Sequence, residues 1–149
     1  MIKQTLLTLT LITFSLSLYA ADGMINVKSK HSVSQTADKL EKVLSSKGMT
    51  IFNRIKHSES AMKVGIEIVP TELIIFGNPK VGSPLMKCAP TVAIDLPQKA
   101  LIWQDANQRV WISYNDPAHL KQRHNIKGCD KVLSKVTGAL GKLTAAAAK

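Results

Sequence analysis

The segment from Leu73 to Met86 reads LIIFGNPKVGSPLM and decides how the rest of the chain is interpreted. It begins with an apolar run at residues 73–76, which is typical of a buried strand. A stretch rich in glycine and proline follows and predicts a constrained loop from Gly77 to Gly82. The pair Ser83-Pro84 fits the N-cap and first residue of a helix that runs to about residue 89. A strand that ends in such a loop holds backbone groups in a fixed arrangement, so we expect a site here.

Length and charge limit the classes of protein that this chain can be. It has 149 residues, enough for one domain with a hydrophobic core, and a formal net charge of +10. The basic residues are scattered, which favours a small anionic ligand or an anionic envelope surface as partner. Nucleic acid is not an expected partner, because no basic stripe with interleaved aromatic residues occurs.

Residues 1 to 20 predict a secretory signal peptide. Lys3 supplies the positive start, an apolar run covers residues 6–18, and small residues allow cleavage after Ala20. The run is shorter than the roughly 20 residues that span a bilayer, so we expect no transmembrane segment in the mature chain. An uncleaved anchor is the alternative. The mature protein is therefore predicted to be periplasmic or secreted.

The remaining pattern predicts one domain over residues 21–144. In chain order it indicates a strand at 24–30, a helix from Ser32 to Gly48, a strand at 51–55, a short helix at 58–62, the strand at 73–76, a hairpin at 99–114, and a last helix at 130–143. Ser32 and Gln35 have the spacing of a capping box. In the hairpin, Leu101 and Trp103 are expected to share the apolar face of Val110, Ile112 and Tyr114. Residues 145–149 are expected to be a frayed tail.

Several short motifs together resemble one known family. They are FGNPK at 76–80, GSPLM at 82–86, DLP at 95–97, the strand that contains Trp103, and SYNDP at 113–117. In order and spacing they are similar to the family called domain of unknown function 302, over about residues 24–126. The resemblance implies an α+β fold, with helices packed on a curved, largely antiparallel sheet, and a homodimer. It implies no activity and no catalytic residues.

The loop gives a ligand-binding hypothesis. Successive backbone N–H groups in a glycine-containing turn can form an anion-binding concavity, and Lys80 would add a positive charge. The candidate ligand-binding residues are Gly77, Asn78, Lys80, Gly82 and Ser83. We expect a concave pocket that Phe76 and Met86 also line. The alternative is a structural corner, because Asn-Pro pairs and glycines are common in turns.

Two cysteines, Cys88 and Cys129, remain in the predicted mature chain. In an oxidising compartment an even pair suggests a disulfide, and two free buried thiols are the alternative. No Cys-x-x-Cys redox motif occurs.

Metal binding and catalysis have weaker support in the sequence. The candidate metal ligands are His57, His119, His124, Met62, Met86 and Cys88, but they lack the close spacing of a metal site, and no cofactor is predicted.

A small secreted, dimeric, non-enzymatic binding or accessory domain is therefore the first hypothesis. The second is a thiol-redox or hydrolytic enzyme that uses Cys88, His57 or Asp95. The third is a purely structural basic protein of the cell envelope.

Overall fold

A computed structural model describes residues 23–149, which form a single α+β domain. Its five strands are β1 (Met24–Ser29), β2 (Thr50–Lys56), β3 (Thr71–Gly77), β4 (Gln98–Gln104) and β5 (Val110–Asn115). They form one antiparallel sheet in the order β1-β5-β4-β3-β2. The predicted α+β class with a largely antiparallel sheet is confirmed. The predicted signal peptide and its cleavage site near Ala20 lie outside the described residues.

Five α-helices and one short 3₁₀ helix connect and cover the strands. The helices are α1 (Val33–Ser46), α2 (His57–Met62), α3 (Pro79–Cys88), α4 (Pro117–Arg123) and α5 (Asp130–Ala148), and the 3₁₀ helix is Pro90–Ile94. Helix α1 begins as predicted, with a capping box in which Ser32 and Gln35 each bond the other's backbone N–H. It ends before Gly48, whose φ of 70° suits glycine best.

The core lies between one face of the sheet and the helices α1 and α5. Ile74 and Phe76 of β3 are buried at alternate positions, as one covered face requires. Leu40 and Leu44 from α1 and Leu140 from α5 pack against this face. Full burial of a leucine or phenylalanine side chain contributes roughly 1.5–3 kcal/mol, so this layer is the main source of stability.

The hairpin forms where predicted, but one prediction about its faces is wrong. Ala100 and Ile102, not Leu101 and Trp103, share the core face with Ile112 and Tyr114. Leu101 and Trp103 lie on the opposite, partly exposed face. Strand β4 carries apolar residues on both faces, so alternation alone does not determine which face is covered.

A charged cluster joins α1 to the sheet. The Arg54 guanidinium donates to Glu72 across the sheet at 2.6 Å and to Asp38 and Glu41 of α1 at 2.6 and 3.1 Å. Burial alone would lower the pKa of Arg54, but the Glu72 and Asp38 carboxylates raise it above its usual value. Arg54 therefore keeps its charge and pairs with the buried Glu72.

The prediction of a frayed tail at residues 145–149 is wrong for most of that segment. Helix α5 continues to Ala148, and Ala147 and Ala148 are buried. The Lys30 N–H donates to the Ala148 carbonyl at 3.0 Å, which ties the helix end to the residue after β1. Alanine has the highest helix propensity, so the run of small residues extends the helix.

Candidate functional site: an apolar cavity

The segment predicted as a loop is the first part of a helix. Helix α3 begins at Pro79 with Asn78 as its N-cap, not at Pro84 with Ser83 as its cap. The Asn78 side chain accepts from the Lys80 N–H, and Pro79 occupies a first-turn position that tolerates proline. Gly82, read from sequence as a loop residue, and Pro84, read as the first residue of a helix, both lie inside the helix. The cap residue thus lies five residues earlier than predicted.

This helix uses the backbone donors that the anion-binding hypothesis required. The Lys80 N–H donates to Asn78 Oδ1 at 2.9 Å, and the Val81 and Gly82 N–H groups donate to the Asn78 carbonyl at 2.9 Å. Pro79 has no N–H to offer. These three N–H groups are therefore satisfied within the helix and are not free to bind an anion.

A cavity of about 390 Å³ lies beside this segment, between the end of the sheet and the helices α3 and α5. Its walls include Phe76 and Gln98 from the sheet, Val81 and Leu85 from α3, and Val136, Ala139 and Leu143 from α5. Most of the lining side chains are apolar. The volume falls within the roughly 300–1,000 Å³ range of small-molecule sites.

Two large apolar side chains at the cavity are exposed to solvent. Phe52 is 54% exposed and Met86 is 36% exposed, and both line the cavity. Phe52 lies at an irregularity of β2, where Ile51 pairs with Phe76 and Asn53 pairs with Ile75. Such a bulge can turn a side chain away from the regular alternation of a strand. The mouth of the cavity thus presents apolar surface to water.

Lys135 is the one charged residue among those that line the cavity. It is exposed and lies on α5 in the same helical row as Ala139 and Leu143. No ion pair or hydrogen bond within residues 23–149 engages its ammonium group. Sequence reasoning did not identify it, although a lysine beside the apolar face of a helix was a visible signal.

Most of the sequence-predicted ligand residues lie at the cavity, and one does not. Gly77, Asn78, Gly82 and Ser83 line the cavity, as Phe76 and Met86 do. Lys80 does not line it and is exposed to solvent. A cavity lined by Phe76 and Met86 is therefore present, and the charged residue in its lining is Lys135 and not Lys80.

The structure brings Cys88 and Cys129 together. Their Cα atoms are 6.4 Å apart and their sulfur atoms are bonded as a disulfide. The bond joins the end of α3 to the residue before α5. It therefore links α3 to the start of α5, and both helices contribute residues to the cavity lining.

The residues of the enzyme hypothesis do not meet in one site. His57 is exposed at the start of α2, and Cys88 is in the disulfide. Asp95 instead pairs with His124, with 2.5 Å between Oδ2 and Nε2, and accepts from Arg123 at 3.2 Å. His124 also contacts the Thr91 hydroxyl through Nδ1 at 3.1 Å. These contacts hold the 3₁₀ helix region against the end of α4.

The candidate metal ligands do not form a cluster in the part of the chain that the structure describes. Within residues 23–149, no group of three or more His, Cys, Asp or Glu side chains is placed to hold a metal ion. The His119 ring instead packs closely against Gly23.

Comparison with known proteins identifies relatives of this domain. A family model described as "Domain of unknown function DUF302" matches residues 25–143, so the match includes most of α5. The crystal structure of an uncharacterized conserved DUF302 protein from Bacillus stearothermophilus superposes with a TM-score of 0.72 at 19% identity. That superposition covers 86% of this chain and 97% of the other.

Two curated relatives carry the name of a transport protein. They are called "Fluoride-specific ion channel FluC 1", from Brucella suis biovar 1 and Brucella abortus biovar 1, and each is 44% identical over 104 residues. The match covers 70% of this chain, but only 41% and 38% of the two relatives. Within residues 23–149, no helix is long and apolar enough to cross a membrane.

Proposed function

We propose that this chain, which belongs to the DUF302 family, is a binding protein whose cavity between α3 and α5 holds an apolar small molecule. One observation carries the proposal. A cavity of about 390 Å³ has mainly apolar walls, and Phe52 and Met86 extend its apolar surface into solvent. Exposed apolar surface beside a concave apolar site is typical of ligand-binding clefts.

The energetics favour an apolar ligand over a small inorganic anion. Transfer of apolar surface out of water contributes roughly 25 cal/mol per Å² buried, and a ligand here would cover its own surface together with that of Phe52 and Met86. An inorganic anion would lose hydration and find few free donors, because the first N–H groups of α3 are already bonded.

A cavity-filling substitution tests this proposal. Ala139 lies on the α5 wall, so Ala139→Phe should fill part of the cavity. A neutral fluorescent probe such as N-phenyl-1-naphthylamine should bind the wild type with enhanced emission. The affinity of the probe should fall by about tenfold or more in the variant, because the lost apolar contact accounts for at least that change in Kd.

The matched control is Ala146→Phe, on the same helix but exposed and outside the cavity lining. It should leave probe binding unchanged. Ala139→Leu, a smaller change, serves if the phenylalanine variant does not fold. Equal probe affinity in the wild type and in a folded Ala139 variant would overturn the proposal.

We also propose that the protein works in the periplasm or outside the cell, after cleavage near Ala20. The apolar run before that residue and the disulfide between Cys88 and Cys129 support an oxidising compartment. N-terminal sequencing of protein from fractionated cells should give a mature chain that starts at Ala21. An intact N-terminus in the cytoplasmic fraction would contradict this proposal.

A homodimer is the proposed assembly, and the sheet offers a surface for it. The face opposite the core carries partly exposed apolar side chains, namely Ile55, Leu73, Ile75, Leu101, Trp103 and Trp111. We name these residues the outer sheet face.

In sedimentation experiments the wild type should be a dimer, which Leu101→Lys should convert to a monomer. Ile94→Lys, at an exposed apolar residue elsewhere, is the control. A monomeric wild type would contradict the proposal.

A further inference from the structure

The charge of the cavity lining narrows the class of ligand. Acidic side chains are absent from the lining that the described residues provide, and Lys135 is its one charged member. The cavity therefore combines a mainly apolar interior with a single positive charge. A ligand that matches both features has an apolar body and one negative group.

The position of Lys135 fits contact with a ligand head at the solvent boundary. Lysine side chains place their methylene groups along apolar surface and keep the ammonium in water. Lys135 is exposed, while Val136 and Leu140, its neighbours in the lining, are buried. Its ammonium group is thus available at the edge of an apolar wall, with no partner within residues 23–149.

Asn78, a polar side chain of the lining, is already engaged. Its Oδ1 accepts from the Lys80 N–H at 2.9 Å, and its Nδ2 donates to the Gly48 carbonyl at 3.3 Å. These bonds fix the start of α3 and leave the amide little capacity for a ligand. Lys135 is therefore the strongest group in the lining for an anionic head.

We propose that the ligand is an amphipathic anion, with an alkyl chain in the cavity and a carboxylate or similar head against the Lys135 ammonium group. This inference rests on the proposed function, because it requires the cavity to bind an apolar molecule. Burial of the ligand's alkyl chain supplies most of the affinity. The ion pair with Lys135 selects a negatively charged head group. The pair is exposed to solvent, so its contribution is modest.

The test compares three probes that share one alkyl chain: decanoate, decanol and decylamine. Calorimetry on the wild type should give about fivefold tighter binding for decanoate than for decanol, the most that an exposed ion pair supplies, and the weakest binding for decylamine. Lys135→Met should remove the preference for decanoate and leave decanol affinity unchanged. Lys135→Arg should keep the preference, because the charge remains.

Two control variants make the same change of charge elsewhere. Lys142 lies on the same helix outside the lining, so Lys142→Met removes a cation that does not face the ligand. Lys80→Met removes one of the cations of the neighbouring helix α3. Both should retain the preference for decanoate. Equal binding of decanoate and decanol to the wild type, or loss of the preference in Lys80→Met but not in Lys135→Met, would overturn the inference. Failure of all three probes to bind would instead overturn the proposed function.

Discussion

At the scale of single residues, Arg54 is the charged side chain whose loss should lower the free energy of unfolding most. It pairs with Glu72, whose side chain is 9% exposed. Arg54→Met would leave that carboxylate buried without its cation. We expect the free energy of unfolding to fall by about 2–3 kcal/mol, below the loss for a fully buried pair because Arg54 is partly exposed. Urea denaturation measures this change.

Two further variants distinguish the effect of breaking the Arg54–Glu72 pair from the effect of removing any one positive charge. Lys56→Met removes a cation from the exposed pair with Glu59 and should leave the free energy of unfolding nearly unchanged. The double change Arg54→Met and Glu72→Leu should recover much of the lost stability, since no unpaired charge remains. A single Arg54 variant as stable as the wild type would contradict the role given to this pair.

Asp105 should make the stability of the protein depend on pH in the acidic range. Partial burial alone would raise the pKa of Asp105, but hydrogen bonds from the Trp111 indole and from Arg109 lower it to about 2. A lowered pKa means that the stabilisation is fully present above the usual value of about 4 and is lost as the pH falls toward 2.

The variant Asp105→Asn should therefore be less stable than the wild type at pH 7, and this difference should shrink between about pH 4 and pH 2. Thermal unfolding followed by circular dichroism across that pH range measures it. A difference that stays constant from pH 7 to pH 2 would show that the charge of Asp105 is not the cause.

The sequence predicted local residue roles better than positions that depend on the sheet. The Ser32 capping box was visible because cap and partner are three residues apart. The exposure of Phe52 at the cavity was not visible, because it depends on a pairing irregularity between β2 and β3. Contacts set by strand register require knowledge of the partner strand.

At the scale of elements, the disulfide between α3 and α5 is the cross-link to test. It closes a loop with a sequence separation of 41 residues. The chain-entropy estimate for such a loop is about 4 kcal/mol. Replacement of both Cys88 and Cys129 by serine should lower the free energy of unfolding by about that amount, measured by urea denaturation.

Mass spectrometry checks the bond directly. The intact mature protein should gain the mass of two hydrogen atoms on reduction, and the serine variant should not. A wild type whose mass is unchanged by reductant would contradict the disulfide. Because the bond joins two walls of the cavity, its loss should also weaken binding of the neutral probe.

The C-terminal end of α5 gives a second test at this scale. Deletion of residues 145–149 removes the buried Ala147 and Ala148 and the bond from Lys30. We expect a loss of about 1–2 kcal/mol, from the buried area and one hydrogen bond. Deletion of Lys149 alone is the control and should have little effect. Unchanged stability after the longer deletion would indicate a frayed end.

Element types were largely predictable, and two helix ends were not. Pro79 and Pro84 both have a possible cap residue before them, so the sequence offers two starts for α3. Asn78 prevails because its side chain caps the helix directly. The end of α5 was placed at Leu143, the last large apolar residue, although the alanines after it favour helix.

At the scale of the whole molecule, the cavity is a product of the fold and not of one motif. Its lining comes from β2, the ends of β3 and β4, α3, the 3₁₀ helix and α5. The sequence predicted the part contributed by residues 76–86, since one contiguous segment carries it. It did not place Lys135 or Ala139 at the same cavity, because these residues reach that space only after α5 folds onto the sheet.

The most direct test of an apolar ligand in this cavity is a nuclear magnetic resonance titration of the isotope-labelled mature protein with decanol. The neutral probe makes the result independent of Lys135. We predict that backbone amide shifts concentrate at cavity residues such as Gly77, Gly82 and Ala139. Shifts confined to Leu101 and Trp103 on the outer sheet face, or no shifts at all, would contradict the account.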